Sequence, residues 1–352
     1  MNLNFASDNW AGCAPEVLAA LERAGRDTTP AYGNDDYTRR ARAAIAAVFA
    51  TDCTSHFVTT GSAANGLALA TACPPYGAIL CYEASHIQID ECGLPEFYTG
   101  GAKLVALPGV DGKLTPAIVE RALAQMPERS PHLAPPAAIS ITQGSECGTV
   151  YTPDEVAGLA SIAHRAGLKL HMDGARFANA VASTGASPAE LTWRAGVDLL
   201  SFGGTKNGCL AAEAVVFFDP ALVRDFEYRR KRGGHLWSKM RFLGAQFEAY
   251  LEDGLWLRLA AHANAMALRL ARGLAEFEAI QLSYPTQINE VFATLPDGVA
   301  ERLQAKGAHF YPWVTPGDPA AGRMQRFVTS FATTSEEVDR LLELLRAELV
   351  AH

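Results

Sequence analysis

No stretch of the chain approaches ~20 consecutive apolar residues, the length a helix needs to cross a hydrocarbon core, so no transmembrane helix is expected. The first residues, MNLNFASDNWAG, lack a basic segment followed by an apolar one. No secretory signal is therefore expected, and a cytoplasmic location is. The seven cysteines, Cys13, Cys53, Cys73, Cys81, Cys92, Cys147 and Cys209, are scattered without CxxC spacing and are odd in number. Such a set reads as free thiols in a reducing compartment, with no metal site and no disulfide framework. Positive charge is also scarce. Lys and Arg number 30 against 38 Asp and Glu, a formal net charge of −8, which argues against nucleic acid as a main partner. The one basic run is Arg229-Arg230-Lys231-Arg232. Internal repeats and low-complexity segments are absent.

What is present is an ordinary globular composition, 49% hydrophobic and 19% charged over 352 residues, enough for one large domain or two. Short apolar runs alternate with segments of helical period. Strands are expected at His56–Thr59, Ile79–Tyr82, Lys103–Leu107, Ala138–Ile141, Leu168–Asp173, Val197–Phe202 and Glu213–Phe218. Helices are expected at Pro15–Ala24, with Val17, Leu18 and Leu21 on one face, and at Arg39–Ala50, Gly66–Cys73 and Asp154–Ala166. Alternation of this kind predicts an α/β fold around a mostly parallel, doubly wound sheet. After the helices Lys239–Tyr250 and Leu255–Ala279 the pattern changes. Short strands at Gln281–Tyr284, Glu290–Thr294 and His309–Tyr311 and a last helix, Ser335–Val350, predict a small C-terminal α+β domain. The expected division is 1–250 and 251–352.

The chemistry gathers at strand ends. Ser201-Phe202-Gly203-Gly204-Thr205-Lys206-Asn207-Gly208 places one lysine just past an apolar strand, where open α/β sheets bind ligands. A lysine amine can condense with an aldehyde. On its own such a lysine would be a solvated turn residue. Upstream, Leu168-Lys169-Leu170-His171-Met172-Asp173 is a strand that ends in a carboxylate, with Gly174-Ala175-Arg176 following at once. Asp173 alone would pass for a helix N-cap. Together the two match the needs of pyridoxal phosphate (PLP), a lysine for its aldehyde and a carboxylate for its pyridinium nitrogen. Gly61-Ser62-Ala63, between an expected strand and helix, supplies the third feature, a turn whose N–H groups can hold phosphate.

His171 to Arg176 and Ser201 to Lys206 resemble the signatures of the L-threonine aldolases of low specificity, PLP enzymes of fold type I. The resemblance runs from Ser7 to about Phe331, with the motifs in order. It implies that Lys206 holds the cofactor aldehyde and that Asp173 keeps the ring nitrogen protonated. It places His86 against the ring and Gly61, Ser62, Ala63 and Thr205 near the phosphate, with Arg229 and Lys231 reaching a phosphate across a subunit interface. Arg230 and Arg232 are expected on a solvated helix face. Arg326 is expected to clamp the substrate carboxylate, with Arg323 the neighbour that competes for the assignment. Ser7 and Arg176 would bind that carboxylate or the cofactor oxygen nearest it. The loop Tyr32-Gly33-Asn34-Asp35 matches one that lies near the cofactor, which makes Tyr32 a substrate-binding candidate, while Asp35 reads as a turn residue.

One departure stands out. Some family members carry a histidine in the loop that here reads Thr142-Gln143-Gly144-Ser145-Glu146-Cys147-Gly148. No histidine is present, and Glu146 is the nearest candidate. His86 is the first choice for the base that takes the β-hydroxyl proton, Glu146 the second. The implied activity is cleavage of β-hydroxy-α-amino acids to glycine and an aldehyde. Alternatives are another fold type I reaction, β-elimination or transamination. A PLP-binding regulator is a further class, but the chain has no spare ~60–70 residues for a fused DNA-binding domain. A homodimer or homotetramer with shared sites is expected from the resemblance.

Overall fold

The computed structural model describes residues 3–126, 130–314 and 323–350. A two-residue strand, β1 (Leu3–Asn4), opens it. The main sheet is built from β2 (Thr54–Val58), β3 (Ala78–Tyr82), β4 (Lys103–Leu107), β5 (Pro136–Thr142), β6 (Lys169–Gly174), β7 (Leu199–Gly203) and β8 (Glu213–Phe217). Their spatial order is β2-β8-β7-β6-β5-β3-β4. All neighbours in the sheet run parallel except β8, which is antiparallel to both β2 and β7. The central strands are buried throughout, as sheets covered by helices on both faces require: β3, β7 and β8 have no exposed residue.

A second, four-stranded sheet has the order β12-β13-β10-β9, from β9 (Gln281–Leu282), β10 (Glu290–Thr294), β12 (Tyr311–Pro312) and β13 (Met324–Val328). The remaining strand, β11 (Ala308–His309), pairs with β1, so the first residues of the chain join the C-terminal unit. Leu3 and Phe5 accordingly pack in its core, with Leu270, Phe327 and Leu341. The mostly parallel sheet and the small antiparallel unit are the architecture the alternating pattern predicts.

Local signals explain most boundaries. Asp35 caps the helix Asp36–Phe49 by accepting from the Thr38 amide at 2.8 Å. Thr152 and Glu155 form a reciprocal capping box before the helix Pro153–Arg165. Two expectations need correction. The helix Pro15–Arg26 buries Val17, Ala20 and Ala24 and leaves Leu18 about half exposed, because the small alanines allow the helix Arg241–Leu251 to pack closely there. Arg230 is not solvated. It is 1% exposed and donates to Glu227 at 2.8 Å, so the basic run of the helix Phe226–Arg232 is not uniformly a solvent face. Arg232 is exposed, as expected.

Candidate active site

A cavity of about 490 Å³ opens where β5, β6 and β7 end, and residues of the N-terminal segment and of the second sheet also line it. β6 and β7 finish close together. A Cβ added to Gly203 would lie 2.7 Å from the Ala175 carbonyl oxygen, so glycine is what lets the two strand ends meet. Their approach brings Asp173 and Lys206 to one space.

Lys206 sits in the 3-10 turn Thr205–Asn207. The turn is anchored from behind: Asn207 donates to Tyr250 Oη at 2.7 Å and to the Trp256 carbonyl at 2.8 Å. Gly208 takes φ 105°, which few other residues tolerate. Among the described residues Lys206 forms no ion pair, so its amine is held in the cavity with no carboxylate bound to it.

Asp173 is buried and each of its oxygens has a donor, Asn65 Nδ2 at 2.8 Å and the Ala175 amide at 2.9 Å. The bond to Ala175 is the local cap that the sequence allows, and the bond to Asn65 is one a cap does not need. Asn65 Nδ2 also donates to Glu91 Oε1 at 3.0 Å, and the same Glu91 oxygen lies 2.8 Å from His86 Nδ1. Asp173, Asn65, Glu91 and His86 are thus one connected network. Glu91 raises the His86 pKa above the usual imidazole value, burial opposes it, and Asp173 adds to it. Sequence reading missed Asn65 and Glu91. The available signal was spacing: Asn65 lies one helical turn past Gly61, and Glu91 one short helix past His86.

The helix that carries Asn65 starts at Gly61, not at Gly66. Thr60 is its N-cap and accepts from the Ala63 amide at 3.2 Å. The Gly61 and Ser62 amides face the cavity end of this helix without an intrahelical partner, the arrangement that binds anions. Ala63 does not line the cavity; its amide is spent on Thr60.

Glu146 accepts from the His86 amide at 2.9 Å and from Thr142 Oγ1 at 2.8 Å, both through Oε1. Its Oε2 is buried with no partner. Burial pushes the Glu146 carboxyl up to about 7 despite those bonds, and the Asp173 charge adds to the rise. Across the cavity, Arg176 is engaged by carboxylates. It meets Asp8 through Nε at 2.8 Å and Nη2 at 3.2 Å, and Glu290 at 3.3 Å. Arg326 enters from β13 with its guanidinium 4.8 Å from the Trp313 ring centroid and 3.8 Å from Glu290. Its Nε is buried without a partner. Arg323 instead faces solvent and pairs with Asp297 at 3.0 Å, which leaves Arg326 as the arginine of the cavity.

Of the residues singled out from sequence, the cavity brings together Ser7, Gly61, Ser62, His86, Glu146, Asp173, Arg176, Thr205, Lys206 and Arg326. It does not include Tyr32, Arg229 or Lys231. Tyr32, at φ 60°, is half exposed, with the Lys231 amine 5.3 Å from its ring centroid. Asp8, Glu213, Glu290 and Trp313 are further residues at or around the cavity that sequence reading did not assign. No group of three His, Cys, Asp or Glu residues suited to a metal occurs among the described residues. No helix of the structure is long and apolar enough to cross a membrane among the described residues.

A family model described as beta-eliminating lyase matches residues 4–296. The low specificity L-threonine aldolase of Pseudomonas sp. strain NCIMB 10558 is 43% identical over 347 residues, covering 99% of this chain and 98% of that protein. A solved structure of Leishmania major threonine aldolase superposes with a TM-score of 0.91 at 30% identity and covers 98% of this chain and 99% of its own. An aspartate aminotransferase from Rhodobacter sphaeroides shares the fold at a TM-score of 0.72 and 15% identity, covering 99% of this chain and 94% of that one.

Proposed function

The chain belongs to the family of beta-eliminating lyases and threonine aldolases and is a carbon–carbon lyase, and from that membership we propose that it is a PLP-dependent aldolase acting on L-threonine, L-allo-threonine and bulkier β-hydroxy-α-amino acids. The observation that carries this reading is that one cavity is faced by an amine without an ion pair, Lys206, by a buried carboxylate, Asp173, and by two free amides at a helix start, Gly61 and Ser62. PLP presents an aldehyde, a ring nitrogen and a phosphate, and these three features answer to its three parts. When bound, it supplies an electron sink for the charge left at Cα as the Cα–Cβ bond breaks.

In this proposal Lys206 holds the aldehyde carbon. Asp173 keeps a proton at the ring nitrogen. Gly61, Ser62 and Thr205 hold the phosphate, and His86 packs beside the ring. Arg326 binds the substrate carboxylate through two parallel hydrogen bonds, with Trp313 and Glu290 fixing its plane. His86 takes the β-hydroxyl proton at Nε2, directly or through water, since Glu91 holds Nδ1. The reading in which Glu146 does so is favoured by its unpartnered Oε2. Arg176, engaged by Asp8 and Glu290, orients that wall of the site along with Ser7. Tyr32, Arg229 and Lys231 act only if a second copy brings them to the cavity, so the proposal includes a dimer or tetramer with shared sites.

Arg326→Ala tests the clamp. It should lower kcat/KM by roughly 1.5–3 kcal/mol in barrier terms while the cofactor stays bound, as read by steady-state kinetics beside a visible spectrum. Loss of cofactor instead would move Arg326 to the cofactor shell or the fold.

The reaction itself is tested by product analysis with the four stereoisomers of threonine and with phenylserine. Because no histidine stands in the Thr142–Gly148 loop to read Cβ, both L-threonine and L-allo-threonine should yield glycine and acetaldehyde, and phenylserine glycine and benzaldehyde. The D isomers should be inert, since carboxylate and Cβ would exchange places. Pyruvate, ammonia or 2-oxobutanoate as main product would overturn the aldolase reading in favour of elimination or transamination. Strict preference for one Cβ epimer would overturn only the argument from the missing histidine.

A further inference from the structure

β8 enters the main sheet at the edge where the Thr60–Ser62 turn and the lysine turn lie. Its first residue, Glu213, registers with Val58 on one side and with Gly203 on the other. Its side chain is buried and lines the cavity beside Thr60, Ser62 and Thr205. Oε1 accepts from the Thr205 amide at 3.3 Å, and no lysine, arginine or histidine among the described residues forms an ion pair with it. A buried carboxyl without a counter-ion is costly to ionise. Burial pushes Glu213 up to about 7, opposed by the Thr205 bonds and the Lys206 charge, with the Asp173 charge adding to the rise.

The groups that face it can be named from each neighbouring element. Lys206 and Cys209 come from the lysine turn, Asp173 from β6 and Tyr250 from the helix Arg241–Leu251. Burial holds Cys209 and Tyr250 in their neutral forms. The helix Gly61–Ala72 brings no titratable residue, and His56 of β2 pairs with Glu227. Among the described residues that line the cavity, Arg176 is engaged by Asp8 and Glu290, Arg326 lies 3.8 Å from Glu290 and His86 pairs with Glu91, which leaves Lys206 as the cation there without an ion pair.

We propose that Glu213 is an uncharged carboxylic acid in the wall of the phosphate subsite, that it donates a hydrogen bond to the cofactor phosphate, and that phosphate binding and ionisation of Glu213 oppose each other. The inference rests on the PLP reading and deepens it. An ionised Glu213 would face a phosphate in a buried site as a like charge. Each therefore disfavours the other, and phosphate binding above neutral pH takes up a proton. By linkage, affinity then falls by up to about tenfold per pH unit once Glu213 ionises in the free protein.

The full chain is freed of cofactor and retitrated with PLP, with pyridoxal, which lacks the phosphate, and with inorganic phosphate, at pH 6.5 and 8.5. The wild type is compared with Glu213→Gln, which keeps a donor and cannot ionise. His86, His235 beside Thr59, and the phosphate itself are common to both proteins, so the ratio of their affinities isolates Glu213. Between the two pH values the wild type should lose at least about tenfold more PLP affinity than the variant, inorganic phosphate should follow PLP, and the pyridoxal ratio should stay constant. Calorimetry of the wild type at pH 8 in buffers of different ionisation heat should show PLP taking up about one proton more than pyridoxal, a result that does not depend on the variant folding. Parallel pH profiles with equal proton counts would overturn the proposal. So would the same fall with pyridoxal, which would assign Glu213 to Lys206. Failure of both PLP and pyridoxal to bind at any pH would overturn the cofactor reading beneath it.

Discussion

Lys206→Ala should abolish turnover and the visible absorbance of the lysine-bound cofactor while leaving the fold intact. The amine forms no ion pair among the described residues, and no second lysine lines that space. Alanine therefore leaves nothing to condense with an aldehyde carbon, and the loss in kcat should be roughly 10³-fold or more, at least ~4 kcal/mol of barrier. Stability should not suffer in the same way. The turn is held by Asn207, through Tyr250 and Trp256, and by Gly208, not by the lysine side chain. Thermal melting of the cofactor-free variant should match or exceed that of the cofactor-free wild type, since a cation without a carboxylate partner is removed from a cavity, whereas the loaded wild type gains stability from its bound cofactor. Cofactor held by Asp173 and the Gly61–Ser62 amides alone should bind more weakly and be lost on dialysis. Full activity in this variant would remove the basis of the whole functional reading.

The parts legible in the sequence share one property: their chemistry is local. β5 to β8 are short apolar runs that any period count finds, and Asp173 and Lys206 stand at the ends of two of them. The Gly61-Ser62 turn is legible because a helix start needs no distant partner to bind an anion, although the hydroxyl N-cap, Thr60, moved that start one turn earlier than expected. What stayed hidden depends on contacts across the fold. Asn65 is an ordinary helix residue until β6 brings Asp173 against it, and the local His86–Glu91 pair joins the site only through the bond that Asn65 makes to Glu91. Arg176 looked like a ligand-binding arginine, and its partners Asp8 and Glu290 lie 168 residues away in one case and in the second sheet in the other. Arg230, in a run of four basic residues, could not be told from Arg232 by composition, and only the return of the helix Phe226–Arg232 against β2 buries it, beside the Phe57 carbonyl. Leu18 failed for the converse reason: alanines at 20 and 24 let a neighbouring helix approach and take the face that leucine was expected to fill.

Asp173→Asn should lower kcat by orders of magnitude, an effect second only to loss of Lys206. The substitution keeps the size of the side chain and its acceptor toward the Ala175 amide, so it preserves the local cap, for which asparagine is as good as aspartate. What it removes is the charge that would hold a proton at the cofactor ring nitrogen. It also changes the second contact. Asn65 Nδ2 now donates to Asp173 Oδ2, and an asparagine amide there would set donor against donor. If Asn65 turns its amide over to accept, its carbonyl oxygen faces Glu91 Oε1, the bond at 3.0 Å is lost, and the Glu91 that steadies His86 is left with one partner fewer. Either way one buried bond goes, a cost of about 1–3 kcal/mol in stability. The two effects separate by measurement. A melting shift of that size with kcat within a factor of about two, worth only ~0.4 kcal/mol of barrier, would make Asp173 a structural cap and nothing more. A fall in kcat of roughly 10²-fold or beyond, with cofactor still bound in the visible spectrum, is the expected result, because an asparagine at this position can cap a turn but cannot balance the charge of a protonated ring nitrogen.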